Sequence, residues 1–128
     1  MIVLDASAWV DMVTGLVPPF EPVDDVVVPP HFDAEVVGAL RAIEQRRALP
    51  ADVARHLLEH HLRAGFAVEH DPADVRRAWG WRDSMSITDA WYAAMALRHA
   101  GTWVTRDGRA ARTARRHGVQ VHVPEARA

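Results

Sequence analysis

Four acidic residues stand at positions where a folded chain could bring carboxylates together. Asp5 directly follows the apolar run Ile2–Leu4, and Asp107 lies just beyond the stretch 102–105. Glu35 and Asp89 fall in the first turns of two predicted helices. Carboxylates forced together in a partly buried site repel one another unless a cation is present. Oxygen ligands select hard cations such as Mg²⁺ or Mn²⁺, so this pattern suits phosphoryl chemistry in which a metal polarises a phosphate and activates water.

Short strands and helices alternate along the chain and would position these acids. Strands are predicted at residues 2–4, 26–28, 66–69, 102–105 and 119–123. Helices are predicted at residues 6–14, 31–47, 72–79, 86–100 and 108–117, with a further helix that begins at Pro50 or Ala51 and ends near Ala64. The proline-rich stretch 16–24 is predicted to be a loop. Strands joined by helical crossovers, without a hairpin signal, indicate an α/β fold with a parallel sheet covered on both faces. Residues 1–128 are expected to form one domain.

A parallel sheet would bring the four acids to one edge. Asp5 and Asp107 each follow a strand, and the carboxyl ends of parallel strands share an edge where ligands bind. A competing interpretation is that the acids only cap helices, because acids in a first turn suit the helix dipole. The segment Ser86–Asp89 matches a capping box, which explains Asp89 without chemistry.

Apolar spacing predicts which helix faces are buried. In the helix 31–47 the predicted inward residues are Phe32, Val36, Ala39, Leu40 and Ile43. In the helix 51–64 they are Val53, Leu57, Leu58 and Leu62.

The composition excludes several kinds of chemistry. All 15 basic residues are arginine, which excludes a P-loop or a Schiff base, and there is no cysteine for a disulfide or a thiolate site. Residues 1–40 hold seven acids and no arginine, whereas residues 98–116 hold six arginines and one acid. An acidic site beside a basic surface suits a metal-dependent enzyme acting on a polyanion, although the charge distribution alone favours the simpler interpretation, a solvated basic helix.

No segment predicts contact with a membrane. There is no apolar run of about 18 residues and no signal-peptide pattern. Together with the absence of cysteine, this leads us to expect a cytoplasmic protein.

Four segments resemble the motifs of a known family in order and spacing. They are IVLDASAWV at 2–10, EVVGAL at 35–40, TDAWYAAMAL at 88–97 and VTRDGR at 104–109. In these the chain resembles the PIN-domain family, and within it the VapC-type toxins of toxin–antitoxin pairs. The resemblance implies an α/β/α sandwich with a central parallel sheet of four to five strands. It also implies an endoribonuclease dependent on Mg²⁺ or Mn²⁺ that leaves 5′-phosphate and 3′-hydroxyl ends.

The resemblance also implies roles for individual residues. Asp5, Glu35, Asp89 and Asp107 become an acidic quartet that is both catalytic and metal-binding. Asp5 and Asp89 would be direct metal ligands, and Glu35 and Asp107 would complete the site or hold a second metal through water. The supporting polar residues Ser7 and Thr105 would orient carboxylates or water.

Basic and aromatic side chains near the last motif are candidates for contact with RNA. The predicted phosphate-binding arginines are Arg106, Arg109, Arg112 and Arg116. Trp79 and Trp81 are the best candidates for base stacking, although tryptophans more often pack in a core or an interface.

The resemblance further implies two protein partners. Members of the family usually form homodimers, and the toxins are inhibited by a small antitoxin. Two alternatives remain open: a PIN-fold nuclease of RNA processing or DNA metabolism without an antitoxin, and a non-catalytic binding module whose acids only cap helices. Metal titration distinguishes the non-catalytic module from the enzyme, because capping acids would show no specific metal binding. The identity of the neighbouring gene distinguishes a toxin from a nuclease without an antitoxin.

Overall fold

The computed structural model describes residues 1–19 and 25–128, so the predicted loop at 16–24 lies partly outside the described residues. The strands are β1 (Ile2–Leu4), β2 (Val26–Val28), β3 (Ala67–Val68), β4 (Thr102–Val104) and β5 (Gln120–His122). The helices are α1 (Ala6–Val13), α2 (Phe32–Gln45), α3 (Ala51–Ala64), α4 (Pro72–Gly80), α5 (Ile87–Arg98) and α6 (Gly108–Arg116).

All five strands form one parallel sheet in the order β3-β2-β1-β4-β5. The central strand β1 pairs with β2 on one side and with β4 on the other, where Leu4 lies opposite Val104. Because parallel crossovers are right-handed, the reversal of direction after β3 places α1–α3 on one face and α4–α6 on the other. The predicted parallel α/β/α sandwich is confirmed, with five strands.

The predicted elements all exist, and their ends differ by one or two residues. The third strand is confined to Ala67–Val68, shorter than the predicted 66–69. Helix α4 extends one residue further than predicted, whereas α5 starts one residue later and stops two residues earlier. Such differences are expected because helix ends fray and capping residues sit half inside the helix.

The predicted buried face of α3 is partly wrong. Val53 and Leu62 are exposed at 38% and 58%, and the buried positions are Ala54 and His61. His61 is held from two sides, because Trp9 Nε1 donates to its Nδ1 at 3.0 Å and its Nε2 lies 2.7 Å from Asp33 Oδ1. The buried His61 ring needs both hydrogen-bond partners, and this places His61 in the interior. The buried face of α3 therefore differs from the face that apolar spacing alone predicted. In α2 the prediction is confirmed for the fully buried positions 32, 36 and 40.

Small side chains let α5 lie close to the sheet. Ala90, Ala93, Ala94 and Ala96 are fully buried, and α5 packs on both β1 and β4. A helix that is apolar almost all round is a core element. This packing brings the first turn of α5, and with it Asp89, to the carboxyl ends of the two central strands.

Substitution of Gly101 tests how closely the chain before β4 packs against the backbone of Met1. A Cβ at this position would lie 2.4 Å from the Met1 carbonyl oxygen, a backbone atom that cannot move without disturbing β1. We expect Gly101→Ala to lower the free energy of unfolding by roughly 1–3 kcal/mol, as overpacking does. Gly38→Ala is the matched control, because nothing lies within 4 Å of its Cβ position and alanine favours a helix. Equal urea midpoints for the two variants would contradict the expectation.

No helix in residues 1–19 and 25–128 is long and apolar enough to cross a membrane.

Candidate active site

The site lies at the edge of the sheet where the strand order reverses. Strands β1 and β4 are neighbours, and the chain leaves them in opposite directions along the sheet. In open α/β folds this switch point forms a crevice beyond the carboxyl ends of the strands, where ligands bind. Asp5 follows β1, and Thr105 and Asp107 follow β4, so three of the residues singled out in the sequence border this crevice.

Asp5 is held rigidly at the base of the crevice. It is 6% exposed and is the N-cap of α1, with its Oδ1 accepting from Ser7 N at 3.4 Å. The Thr105 hydroxyl donates to Asp5 Oδ2. Ser7 Oγ lies 3.3 Å from Thr105 Oγ1 and accepts from Arg106 N at 3.0 Å. Ser7 and Thr105 therefore fix the orientation of this carboxylate.

The pKa of Asp5 is raised from 3.8 to about 6. Burial is the main cause, because it disfavours the charged form. The hydrogen bond from Thr105 opposes the rise, and the charges of Asp89 and Glu35 add to it. Asp5 is thus a carboxylate whose ionisation is costly until a cation compensates it.

Glu35 enters the site from the face of the sheet that carries α1–α3. It lies in the first turn of α2, and Tyr92 OH donates to its Oε1 at 2.7 Å. His31 Nε2 lies 3.6 Å from the same oxygen, and burial lowers the pKa of His31. Burial raises the pKa of Glu35, the Tyr92 hydrogen bond opposes that rise, and the charge of Asp89 adds to it.

Asp89 and Asp107 complete the acidic surface. Asp89 N donates to Ser86 Oγ at 3.3 Å, so the predicted cap of α5 is present. Burial raises the pKa of Asp89, and the charge of Asp107 contributes. Asp107 caps α6, where its Oδ1 accepts from Arg109 N and Ala110 N at 3.0 Å each. Asp5 and Asp107 therefore cap helices, whereas Asp89 lies in the first turn of α5 behind the Ser86 cap. Capping does not explain why the charges of these acids act on one another.

The four acids lie near enough to influence one another electrostatically, but they do not form a ready-made metal cage. Mutual charge effects link Asp5 with Asp89 and with Glu35, and Asp89 with Asp107. Within residues 1–19 and 25–128, no three His, Asp or Glu side chains are already grouped tightly enough to hold an ion. A cation would therefore have to draw the carboxylates closer.

The donor set fits a hard divalent cation. All four side chains offer oxygen ligands, which Mg²⁺ and Mn²⁺ prefer. The raised pKa values of Asp5, Glu35 and Asp89 have the same cause, burial of negative charge, and a cation would relieve it. The metal assignment of these four residues remains a prediction.

A polar cleft opens beside Asp89 and Asp107. Its volume is about 500 Å³. The lining residues are Arg82, Asp83, Ser84, Met85, Ser86, Asp89, Asp107, Arg109, Ala110 and Thr113. The cleft is thus formed by the α4–α5 connection on one side and the first two turns of α6 on the other. Its charged and polar lining suits a charged ligand.

The predicted phosphate-binding arginines fall into two groups. Arg106 Nε lies 2.8 Å from Asp11 Oδ2, and its guanidinium also contacts the Pro124 carbonyl oxygen, so this side chain serves the structure. Arg109, Arg112 and Arg116 project from α6 into solvent, and Arg109 borders the cleft. Their contact with RNA remains a prediction.

Sequence reasoning missed Tyr92 and His31 as site residues. Tyr92 lies three residues after Asp89, on nearly the same face of α5, and a buried tyrosine hydroxyl needs a hydrogen-bond partner. His31 lies one helical turn before Glu35. The spacing of Tyr92 from Asp89 and of His31 from Glu35 could have identified both as neighbours of the acids.

Comparison with known sequences identifies the class of protein. The pattern of the PIN domain family matches residues 2–116, and the chain belongs to this family. Among curated proteins, it is similar to Ribonuclease VapC3 of Mycobacterium tuberculosis, in strains CDC 1551 and H37Rv. The identity is 32% over 118 residues, covering 87% of this chain and 85% of the relative. The resemblance stated from the four sequence motifs is confirmed.

Solved structures share the fold. FitAcB from Neisseria gonorrhoeae aligns with a TM-score of 0.61 at 21% identity, covering 94% of this chain and 96% of that one. Mycobacterium tuberculosis VapC20, a Sarcin-Ricin loop cleaving toxin, aligns with a TM-score of 0.62 at 19% identity, covering 88% and 94%. VapBC-1 from nontypeable Haemophilus influenzae aligns with a TM-score of 0.62 at 15% identity, covering 96% and 98%.

Proposed function

We propose that this chain is a metal-dependent endoribonuclease of the VapC type, acting as the toxin of a toxin–antitoxin pair. The observation that carries the proposal is the convergence of four carboxylates at the switch point of the sheet, with Asp5 buried and its pKa raised to about 6. The 32% identity to a protein named a ribonuclease, over most of both chains, supports the choice of RNA as substrate.

Asp5 and Asp89 would hold Mg²⁺ or Mn²⁺, and Glu35 and Asp107 would complete the site. When bound, the cation supplies Lewis-acid stabilisation of the charge that develops on the phosphate oxygens. Thr105 and Ser7 keep Asp5 in one orientation, so little reorganisation is needed during reaction. The α5 capping bond from Asp89 N to Ser86 Oγ fixes the backbone that carries the second ligand.

Glu35 is suited to accept the proton of the attacking water. Its Oε1 is occupied by the Tyr92 hydroxyl, which leaves Oε2 for that proton. Burial raises the pKa of Glu35 above its usual value, and a raised pKa makes a carboxylate a stronger proton acceptor. The 3′ oxygen would leave, and the products would carry 5′-phosphate and 3′-hydroxyl ends.

We also propose a small antitoxin partner and a homodimeric state. Both proposals rest on the membership of the chain in the PIN-domain family and on its similarity to VapC3. Expression of the chain alone is expected to arrest growth, and co-expression with the product of the adjacent gene is expected to restore it. Normal growth in both cases would favour a nuclease without an antitoxin.

The direct test uses purified chain and single-stranded RNA. We expect cleavage with Mg²⁺ or Mn²⁺, none with EDTA, and 5′-phosphate ends that a 5′-phosphate-dependent exonuclease degrades. Equal cleavage in EDTA would refute metal dependence. Cleavage of DNA but not RNA would favour the DNA alternative. Absence of both cleavage and calorimetric Mg²⁺ binding would favour a non-catalytic module.

Tyr92→Phe tests the positioning of Glu35. Because the Tyr92 hydrogen bond lowers the pKa of Glu35, its loss should raise that pKa and move the acidic limb of the pH–rate profile to higher pH. The ring should stay in place, since it is fully buried and stacks on Trp103 with centroids 6.1 Å apart. Loss of the hydrogen bond should cost about 1 kcal/mol of stability. An acidic limb at the wild-type position would contradict the assigned role.

A further inference from the structure

The last turn of α4 carries Trp79, and the α4–α5 connection carries Arg82; neither residue belongs to the acidic quartet or to the core. Trp79 is 62% exposed, which is unusual for so large an aromatic side chain. The Arg82 guanidinium carbon lies 4.3 Å from the centroid of the Trp79 ring. Arg82 NH1 also donates to the Trp79 carbonyl oxygen at 3.0 Å. We call these two residues the Trp79–Arg82 pair.

The Trp79–Arg82 pair is held on a rigid support. Ser84 N and Met85 N both donate to the Trp81 carbonyl oxygen, at 3.0 and 3.1 Å, which closes the turn. Trp81 stacks on His117 at the end of α6, with centroids 4.6 Å apart and planes inclined by 23°. Ser84 Oγ lies 3.0 Å from His117 Nε2. The turn is therefore fastened to α6 and positions Arg82 without needing a ligand.

Arg82 connects the Trp79–Arg82 pair to the acidic cleft, because it lines the cleft whereas Trp79 lies beside it without lining it. Arg82 lines the cleft on the α4–α5 side, and Arg109 lines it on the α6 side. Between these two cations the cleft presents Asp89 and Asp107, with Asp83 on the same turn as Arg82. An arginine on each side of the acids is the arrangement needed to hold the phosphates that flank a bound scissile phosphate.

We propose that the Trp79–Arg82 pair is a positioning site for single-stranded RNA, in which an unpaired base stacks on Trp79 while Arg82 binds an adjacent phosphate. This inference rests on the proposed function and deepens it by assigning a substrate contact outside the acidic quartet. An exposed indole with an arginine over it offers a flat surface to any base, because every base has a π-face. A base-paired duplex keeps its bases stacked on one another and cannot use this surface.

The test is binding of a fluorescein-labelled single-stranded oligoribonucleotide to the full-length chain, followed by fluorescence anisotropy in EDTA. The Asp5→Asn background prevents cleavage, so binding is measured independently of catalysis. Trp79→Ala should weaken binding about tenfold without changing its salt dependence, since stacking releases no counterions. Arg82→Ala should also weaken binding and should reduce the slope of log K against log salt by about 0.7, one phosphate contact on a single strand.

Matched controls separate the Trp79–Arg82 pair from general charge and fold effects. Arg76→Ala removes the same charge from an exposed position of α4 that does not line the cleft, and it should bind like the parent. Arg82→Lys keeps the charge and should restore the salt slope. A duplex of the same sequence should be insensitive to Trp79→Ala. Circular dichroism and the melting temperature confirm that each variant is folded.

The outcomes distinguish this inference from the proposed function. In the wild-type background with Mg²⁺, Arg82→Ala should raise KM for RNA and leave kcat nearly unchanged. If RNA is cleaved but both variants bind and cleave like the parent, the Trp79–Arg82 pair is refuted and the nuclease stands. If RNA is not cleaved but binding depends on both residues, the nuclease is refuted and the Trp79–Arg82 pair stands. Equal losses for single strand and duplex, or no binding by the parent chain, would also overturn the inference.

Discussion

Asp5→Asn is expected to abolish RNA cleavage without unfolding the protein. The substitution keeps the shape of the side chain and the Oδ1 that accepts from Ser7 N as the cap of α1, but it replaces Oδ2, which accepts from Thr105, with an amide nitrogen and removes the charge that a divalent cation needs. We expect kcat/KM to fall roughly 10³-fold, as when a charge-stabilising group is removed from an active site. The rate should be measured with Mg²⁺ at saturating and at limiting concentrations.

Asp52→Asn is the matched control for that experiment. Asp52 lies in the first turn of α3, so it shares the helix-dipole role of an acid but lies on the exposed surface away from the four carboxylates. The Asp52→Asn variant should cleave RNA at the wild-type rate. Asp89→Asn should behave like Asp5→Asn, because both are assigned as direct ligands. Wild-type rates for Asp5→Asn and Asp89→Asn would refute the site.

The second large effect is on the stability of the metal-free protein between pH 4 and 7. The pKa of Asp5 is about 6 in the folded state and 3.8 unperturbed, so the folded state binds the proton more tightly. Stability from this group is therefore highest at low pH and falls as pH rises from about 4 to 6. The total loss is about 3 kcal/mol, and burial of Glu35 and Asp89 acts in the same direction.

This pH effect can be isolated by comparison. The difference in free energy of unfolding between Asp5→Asn and wild type, measured in EDTA with urea, should grow with pH across that window in favour of the variant. Saturating Mg²⁺ should remove the difference by binding only wild type well. A difference that stays flat with pH would show that Asp5 ionises in the folded state without cost.

The positions of the acids were predictable because they follow local patterns. Asp5 comes directly after a buried apolar run, and Asp89 follows a capping serine by three residues. Once the strands are parallel, topology alone brings their carboxyl ends to one edge, as the order β3-β2-β1-β4-β5 confirms. The assignment of roles among the four acids came instead from the family resemblance.

The partners of polar side chains could not be predicted from apolar spacing. His61 is buried because Trp9 and Asp33 approach it from α1 and α2, which no pattern within α3 reveals. Arg106 pairs with Asp11, 95 positions away, and this ion pair neutralises its charge. The basic stretch around Arg106 gives no indication of such a distant partner. The position of Arg82 beside the acidic cleft could not be predicted, because it depends on the packing of its turn against α6.

The bond between Thr105 and Asp5 joins residues 100 positions apart in the chain. During synthesis Asp5 leaves the ribosome early, but β4 and the Thr105 hydroxyl emerge only after most of the chain has been made. Until β4 docks beside β1, Asp5 has neither its orienting hydroxyl nor the neighbouring acids of α5 and α6. We therefore expect the proposed nuclease activity to appear only after β4 has docked beside β1 and the site has been assembled.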